Sequence, residues 1–156
     1  MFINEIIKMI QEIDNTIEIE VEKDLLEYGL ACEPMESKIY IGLRNTPEEE
    51  KVFTDFVNEL EPNFFDKYKI NGFILSVLHE IGHIMTHEEE LENEYNTEIN
   101  LLCNLEEQGL ITEEQQAYFY VRLTLEKWAT QWAINFVKEN IPFINNYQNK
   151  IIKRLA

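Results

Sequence analysis

The sequence predicts an α+β fold, helix-rich with a small sheet near its N-terminal end. Two observations lead there. Apolar residues recur at helical spacing through most of the chain, while two short segments between residues 16 and 43 alternate apolar and polar instead. Five Gly and four Pro in 156 residues leave few helix breakers, and no linker-like stretch or internal repeat divides the chain. The length suits one core, so residues 1–156 read as a single domain.

Each element has its own signal. Residues 2–13 place Phe2, Ile6, Met9, Ile10 and Ile13 on one helical face. Residues 16–21, TIEIEV, alternate as a half-buried strand, and residues 24–30 read as a short helix ending at Gly29. Residues 37–43, SKIYIGL, form a second strand with Ile39 and Ile41 on one face, and this strand is the expected sheet edge. Thr46 caps a helix with Pro47 in its first turn, and Glu48 to Glu50 suit its positive end. The helix carries the stripe Val52, Phe53, Phe56, Val57 and Leu60 and stops at Pro62. Residues 72–87 are apolar on most sides, which marks a buried helix. Residues 95–108 are helical, Gly109 stops them and Thr112 caps the next helix. Residues 113–139 lack Gly and Pro and read as one long helix, with Tyr118, Leu125, Trp128, Trp132 and Phe136 expected in the core. Pro142 interrupts it, and a last short helix closes the chain.

Composition excludes several functions. Thirteen basic against thirty acidic residues give a net charge of −17, the wrong sign for neutralising phosphates on nucleic acid or docking on anionic lipid. The same charge permits a basic protein partner. Apolar runs fall far short of the roughly 20 residues that span a bilayer. Glu5 and Lys8 interrupt the apolar stretch of MFINEIIKMI, so no secretory signal is read. Cys32 and Cys103 are far apart and lack a CxxC partner, which suits a reducing cytoplasm and excludes zinc held by cysteines. Cys103, in INLLCNL, is expected as a small buried hydrophobe.

The chemistry concentrates in one segment. All three histidines, His79, His83 and His87, lie within it, and His79-Glu80-Ile81-Gly82-His83 is an HExxH motif. Residues four apart share a helix face, so two imidazoles can converge on one zinc ion. Glu80 sits beside that site and can hold a water and take its proton. Chance would produce the motif in about 1% of chains of this composition. Two surface histidines would be the bland reading, but the flanking sequence is apolar, and buried imidazoles need partners that a metal supplies. Gly82 lets another element pack closely.

A third protein ligand is needed. The best candidate is Glu126, in Glu126-Lys127-Trp128-Ala129-Thr130-Gln131-Trp132-Ala133. Ala129 and Ala133 lie on nearly the same face and would allow close approach to the histidine helix. Spacing alone leaves open a solvated glutamate with two ordinary packing alanines, and Glu94 and Glu98 are the fallback ligands. His87 lies two turns from His79, too far to join the same tetrahedral site comfortably. It reads as a helix-end cap, a second-shell contact or a substrate-side group.

HEIGHIMTH followed by ExxAxxxA resembles the ImmA/IrrE family of small zinc metallopeptidases. Members of that family show HELGH, often with another His four residues on, then E-x-x-A-x-x-F-A. The resemblance covers residues 72 to 137. Trp132 stands where the family usually has Phe, and Trp128 where it usually has a second acidic residue. The resemblance implies a minimal zincin-like, gluzincin-type domain with HExxH on a buried helix. It also implies zinc held by His79, His83 and Glu126, with Glu80 as general base. The activity implied is metalloendopeptidase cleavage of a specific protein, such as a basic, DNA-binding repressor of phage or mobile-element type. The acidic run from Glu88 to Glu98 is either a solvated face or a rim that steers such a partner. His87, Tyr118, Tyr120 and Arg122 are the candidates for stabilising charge on the substrate. The alternative, from a different class, is a zinc-stabilised regulatory or protein-binding domain that cleaves little. A partner-triggered accessory protein is a third reading.

Overall fold

The structure, a computed structural model, describes residues 2–155. It is helix-rich with a small three-stranded sheet. The elements run α1 (Phe2–Ile13), β1 (Glu18–Val21), β2 (Ala31–Glu33), β3 (Lys38–Ile41), α2 (Pro47–Leu60), α3 (Phe64–Tyr68), α4 (Gly72–Thr86), α5 (Glu92–Glu107), α6 (Glu113–Tyr120), α7 (Thr124–Glu139) and α8 (Ile141–Leu155). Short 3-10 turns at Pro34–Glu36 and Glu89–Leu91 lead into β3 and α5. Among the described residues no helix is long and apolar enough to cross a membrane.

The strand at residues 37–43 is not an edge. The sheet order is β1-β3-β2, with β3 in the middle, parallel to β1 and antiparallel to β2. The burial pattern of β3 explains its place, because Ile39 and Ile41 are fully buried. The edges are β1 and β2, and β2 at three residues is too short to show an alternation in sequence. Residues 24–30 do not form a helix. Their backbone serves the sheet end instead: the Leu43 and Arg44 amides donate to the carbonyls of Leu25 and Tyr28 at 2.6 and 3.0 Å.

The predicted helix 113–139 is two helices. After α6 the chain tightens, with Arg122 and Leu123 amides donating three residues back to Phe119 and Tyr120. The Arg122 guanidinium takes the Tyr118 carbonyl at 2.8 Å. The break re-aims the chain, so that α6 packs on α2 and α7 on α4. Tyr118 and Trp128 stay 46% and 39% exposed, while Trp132 stacks on Phe136 with centroids 5.2 Å apart. Cys103 is exposed rather than buried. The helix boundary expected at Pro142 is present, since α7 ends at Glu139, but the closing helix α8 is 15 residues long rather than short. Pro142 sits in the first turn of α8, where no backbone donor is missed.

The buried apolar residues form a contiguous cluster drawn from α1, β3, α2, α3, α4, α7 and α8. Leu78 and Ile81 of α4 lie fully inside it, each burial contributing about 1.5–3 kcal/mol. The start of α4 is fixed from both sides of the chain. Asn71 accepts from the Phe73 and Ile74 amides, and its own amide donates to Gln148 of α8 at 2.6 Å.

Candidate metal centre

The pairing of α4 with α7 builds the site. Ala129 and Ala133 are fully buried against α4. A Cβ placed on Gly82 would press on the Ala129 carbonyl oxygen and lie 3.0 Å from its Cα, so the glycine is what permits this approach. At that separation the side chain of Glu126, one turn before Ala129, reaches the histidine helix.

Glu126 is 2% exposed, and its Oε2 lies 3.0 Å from His79 Nε2 and 2.5 Å from His83 Nε2. The three donor atoms all fall within 4.8 Å of one another, a group able to hold a metal ion. Two imidazoles and a carboxylate form a donor set that suits a divalent cation with one position left open. Burial pushes the Glu126 carboxyl up, but the hydrogen-bonded imidazoles more than offset this and hold it far below the usual carboxylate range. For His83, burial opposes the charged ring. The hydrogen bond to Glu126 and the Glu126 and Glu80 charges outweigh it and raise its pKa.

The surroundings orient these groups. Thr130 Oγ1 donates to the Glu126 carbonyl at 3.1 Å, which uses its one proton. It therefore accepts from His79 Nδ1–H at 3.0 Å, which leaves Nε2, 3.0 Å from Glu126 Oε2, as the nitrogen that a metal would take. Phe53 of α2 meets the His79 ring edge-on at 5.4 Å. On the far side of the carboxylate, Tyr95 of α5 donates its hydroxyl to Glu126 Oε1 at 3.1 Å, and Tyr120 stands 3.3 Å from the Tyr95 oxygen.

The group opens into a cavity of about 440 Å³. Glu80, His83 and Glu126 line its floor, β2 and the turn after it form one wall, and His87, Glu92, Tyr95 and Tyr120 face it from the helices. Its charged lining residues are acidic. No family model matches this chain, and the comparisons with curated proteins and with solved structures return no match.

The sequence candidates divide clearly. His79, His83 and Glu126 converge, and Glu80 stands at the cavity beside them. Glu94 and Glu98 lie outside that group, along a separate crevice with Leu91 and Leu123. His87 comes directly after the last residue of α4 and lines the cavity, and its buried Nε2 has no hydrogen-bond partner. Tyr120 lines the cavity too. Tyr118 and Arg122 do not. The Arg122 guanidinium sits 3.6 Å over the Tyr118 ring and pairs with Glu59 at 2.7 Å, which occupies both on the outer surface.

Sequence reasoning missed Thr130, Tyr95 and Cys32. Thr130 carried a usable signal, four residues after Glu126 on the same face. Tyr95 and Cys32 reach the site through tertiary structure and carried none. The Cys32 thiol is pushed far up, by burial first and then by the Glu80 carboxylate beside it, so it faces Glu80 as a neutral S–H rather than a nucleophile.

Proposed function

We propose that the chain is a zinc-dependent metalloendopeptidase with a zincin-like site of the ImmA/IrrE type. The observation that carries the reading is the convergence of His79 Nε2, His83 Nε2 and Glu126 Oε2, with His83, Glu126 and Glu80 lining an open cavity. The donor chemistry fits zinc, which when bound would act as a Lewis acid on a peptide carbonyl and make water acidic. Glu80 accepts the proton of the attacking water and delivers it to the leaving amine. The exposed edge of β2 receives the substrate as an extended segment through main-chain hydrogen bonds. This role falls to β2 because β3 is paired on both sides and β2, unlike β1, lines the cavity. Tyr120 and His87, which line the cavity, would meet charge on the substrate. The acidic wall of Glu33, Glu36 and Glu92 supports a basic protein substrate, such as a DNA-binding repressor.

Glu80→Gln tests the mechanism. The variant should keep about one zinc per chain and lose roughly 10²–10⁴-fold in cleavage of basic peptides. A Glu80→Gln protein that holds zinc and cleaves at the wild-type rate would refute it. Zinc binding with no cleavage by either protein, while a basic partner is bound intact by both, would favour the regulatory-domain reading.

A further inference from the structure

We propose that Tyr95 is a positioning residue of the metal centre, whose hydroxyl holds Glu126 so that one carboxylate oxygen alone faces the metal. The inference rests on the metal reading above and adds to it a residue from α5, outside both helices that supply ligands.

The geometry divides the Glu126 carboxylate cleanly. Oε2 takes both imidazoles, and Oε1 takes the Tyr95 hydroxyl at 3.1 Å. An ionised carboxylate can only accept, so the Tyr95 proton is spent on Oε1. The 3.3 Å contact between the Tyr95 and Tyr120 oxygens is then donated by Tyr120, and the protons run in one direction, from Tyr120 to Tyr95 to Glu126. A carboxylate with a donor on one oxygen cannot easily swing that oxygen onto a cation. Without the donor, both oxygens are free to bind side-on and fill the position that a water needs.

A packing role does not account for the hydroxyl. Phenylalanine would fill the same space without placing a polar atom inside, and a half-buried hydroxyl costs stability unless it is satisfied. Here its partner is the buried ligand itself. The helix that carries Tyr95 is otherwise held weakly, with Leu102 the one buried residue of α5. Its phenol is thus the direct connection from α5 to the site.

The test uses zinc and cobalt(II) alone, with the full chain as wild type, Tyr95→Phe and, as a surface control, Tyr118→Phe. The ring stays in both variants and one oxygen goes. Tyr95→Phe should bind zinc about 10–100-fold more weakly. Its cobalt(II) form should show weaker visible absorption than wild type, as Glu126 turns two-toothed and the coordination number rises. Tyr118→Phe, whose ring lies under Arg122 on the outer surface, should change affinity less than about 3-fold and leave the cobalt spectrum alone. Unfolding of the metal-free variants should match the wild type. Wild-type affinity and an unchanged cobalt spectrum in Tyr95→Phe would overturn the inference while leaving the metal site standing. Weakened binding with an unchanged spectrum and a destabilised metal-free protein would also overturn it, because the role would then be structural. Wild-type protein that takes up neither metal would end both readings.

Discussion

Two helix pairs meet at Glu126, and they are held by different physics. The α4–α7 pair lies in the core, with Gly82 against Ala129 and with Ala133, Ile134 and Val137 buried behind it. The α5–α6 pair contributes no residue to the central apolar cluster among those described, and it leaves Leu101, Leu110 and Phe119 exposed at 56%, 66% and 48%. The first pair sets where the carboxylate is. The second sets which way it turns, through the Tyr95 hydroxyl. Packing fixes positions stiffly because interiors are dense, whereas a hydrogen bond fixes an orientation with little buried area.

Breaking the first pair should have the largest effect. Gly82→Val places a branched side chain where the Ala129 backbone already stands, and about 3 kcal/mol or more of destabilisation is expected. Zinc content should fall with it, checked by denaturant unfolding and elemental analysis. Thr130→Val tests orientation within the same pair. It frees the His79 ring and should weaken zinc binding about 10-fold with the fold intact, read by competition with a chelator.

A smaller, signed effect arises from the charges that this pair encloses. In metal-stripped protein, folding raises the pKa of His83 above its ordinary 6.5 and lowers that of Glu126 below 4.5. The His83 contribution is therefore full below pH 6.5 and is lost as pH rises through the raised value. The Glu126 contribution is full above pH 4.5 and is lost as pH falls toward its depressed value. Metal-free stability from the pair should peak between those limits, while zinc affinity should climb with pH because the imidazoles must shed their protons. Melting curves taken across pH with and without zinc should diverge upward from pH 6.5. Parallel curves would show that the imidazoles are not ligands.

The second pair should tolerate surface change. Leu110→Gln or Phe119→Gln should shift stability by less than about 0.5 kcal/mol, since neither side chain enters the core. A loss well above that would mean that α5 and α6 are held more firmly than their burial implies.

The same division explains what the sequence disclosed. The α4 helix was legible because His79, His83 and Gly82 repeat at helical spacing inside an apolar run. Glu126, Ala129 and Ala133 were legible because small residues on one face announce close packing. Thr112 and Gly109 were legible as local chemistry. Thr112 forms a capping box with Gln115, and Gly109 takes a left-handed φ of 72°. The break at residues 121–123 was not legible, because no Gly or Pro marks it and tertiary packing turns the chain there. Neither was β2, which owes its strand geometry to β3. Tyr95 was invisible for a third reason: its partner lies 31 residues on, across two helix boundaries.

The edge strand β2 also bears on how the molecule keeps to itself. An open strand edge invites copies of a chain to stack side by side into aggregates. Here the edge is three residues long, is succeeded at once by Pro34 with no amide to donate, and carries exposed Glu33 and Glu36. The opposite edge, β1, exposes Glu18 and Glu20. Two copies brought edge to edge would oppose carboxylates over a ladder too short to repay the repulsion. The edge proposed to receive a single extended segment is therefore poorly suited to seeding a fibre.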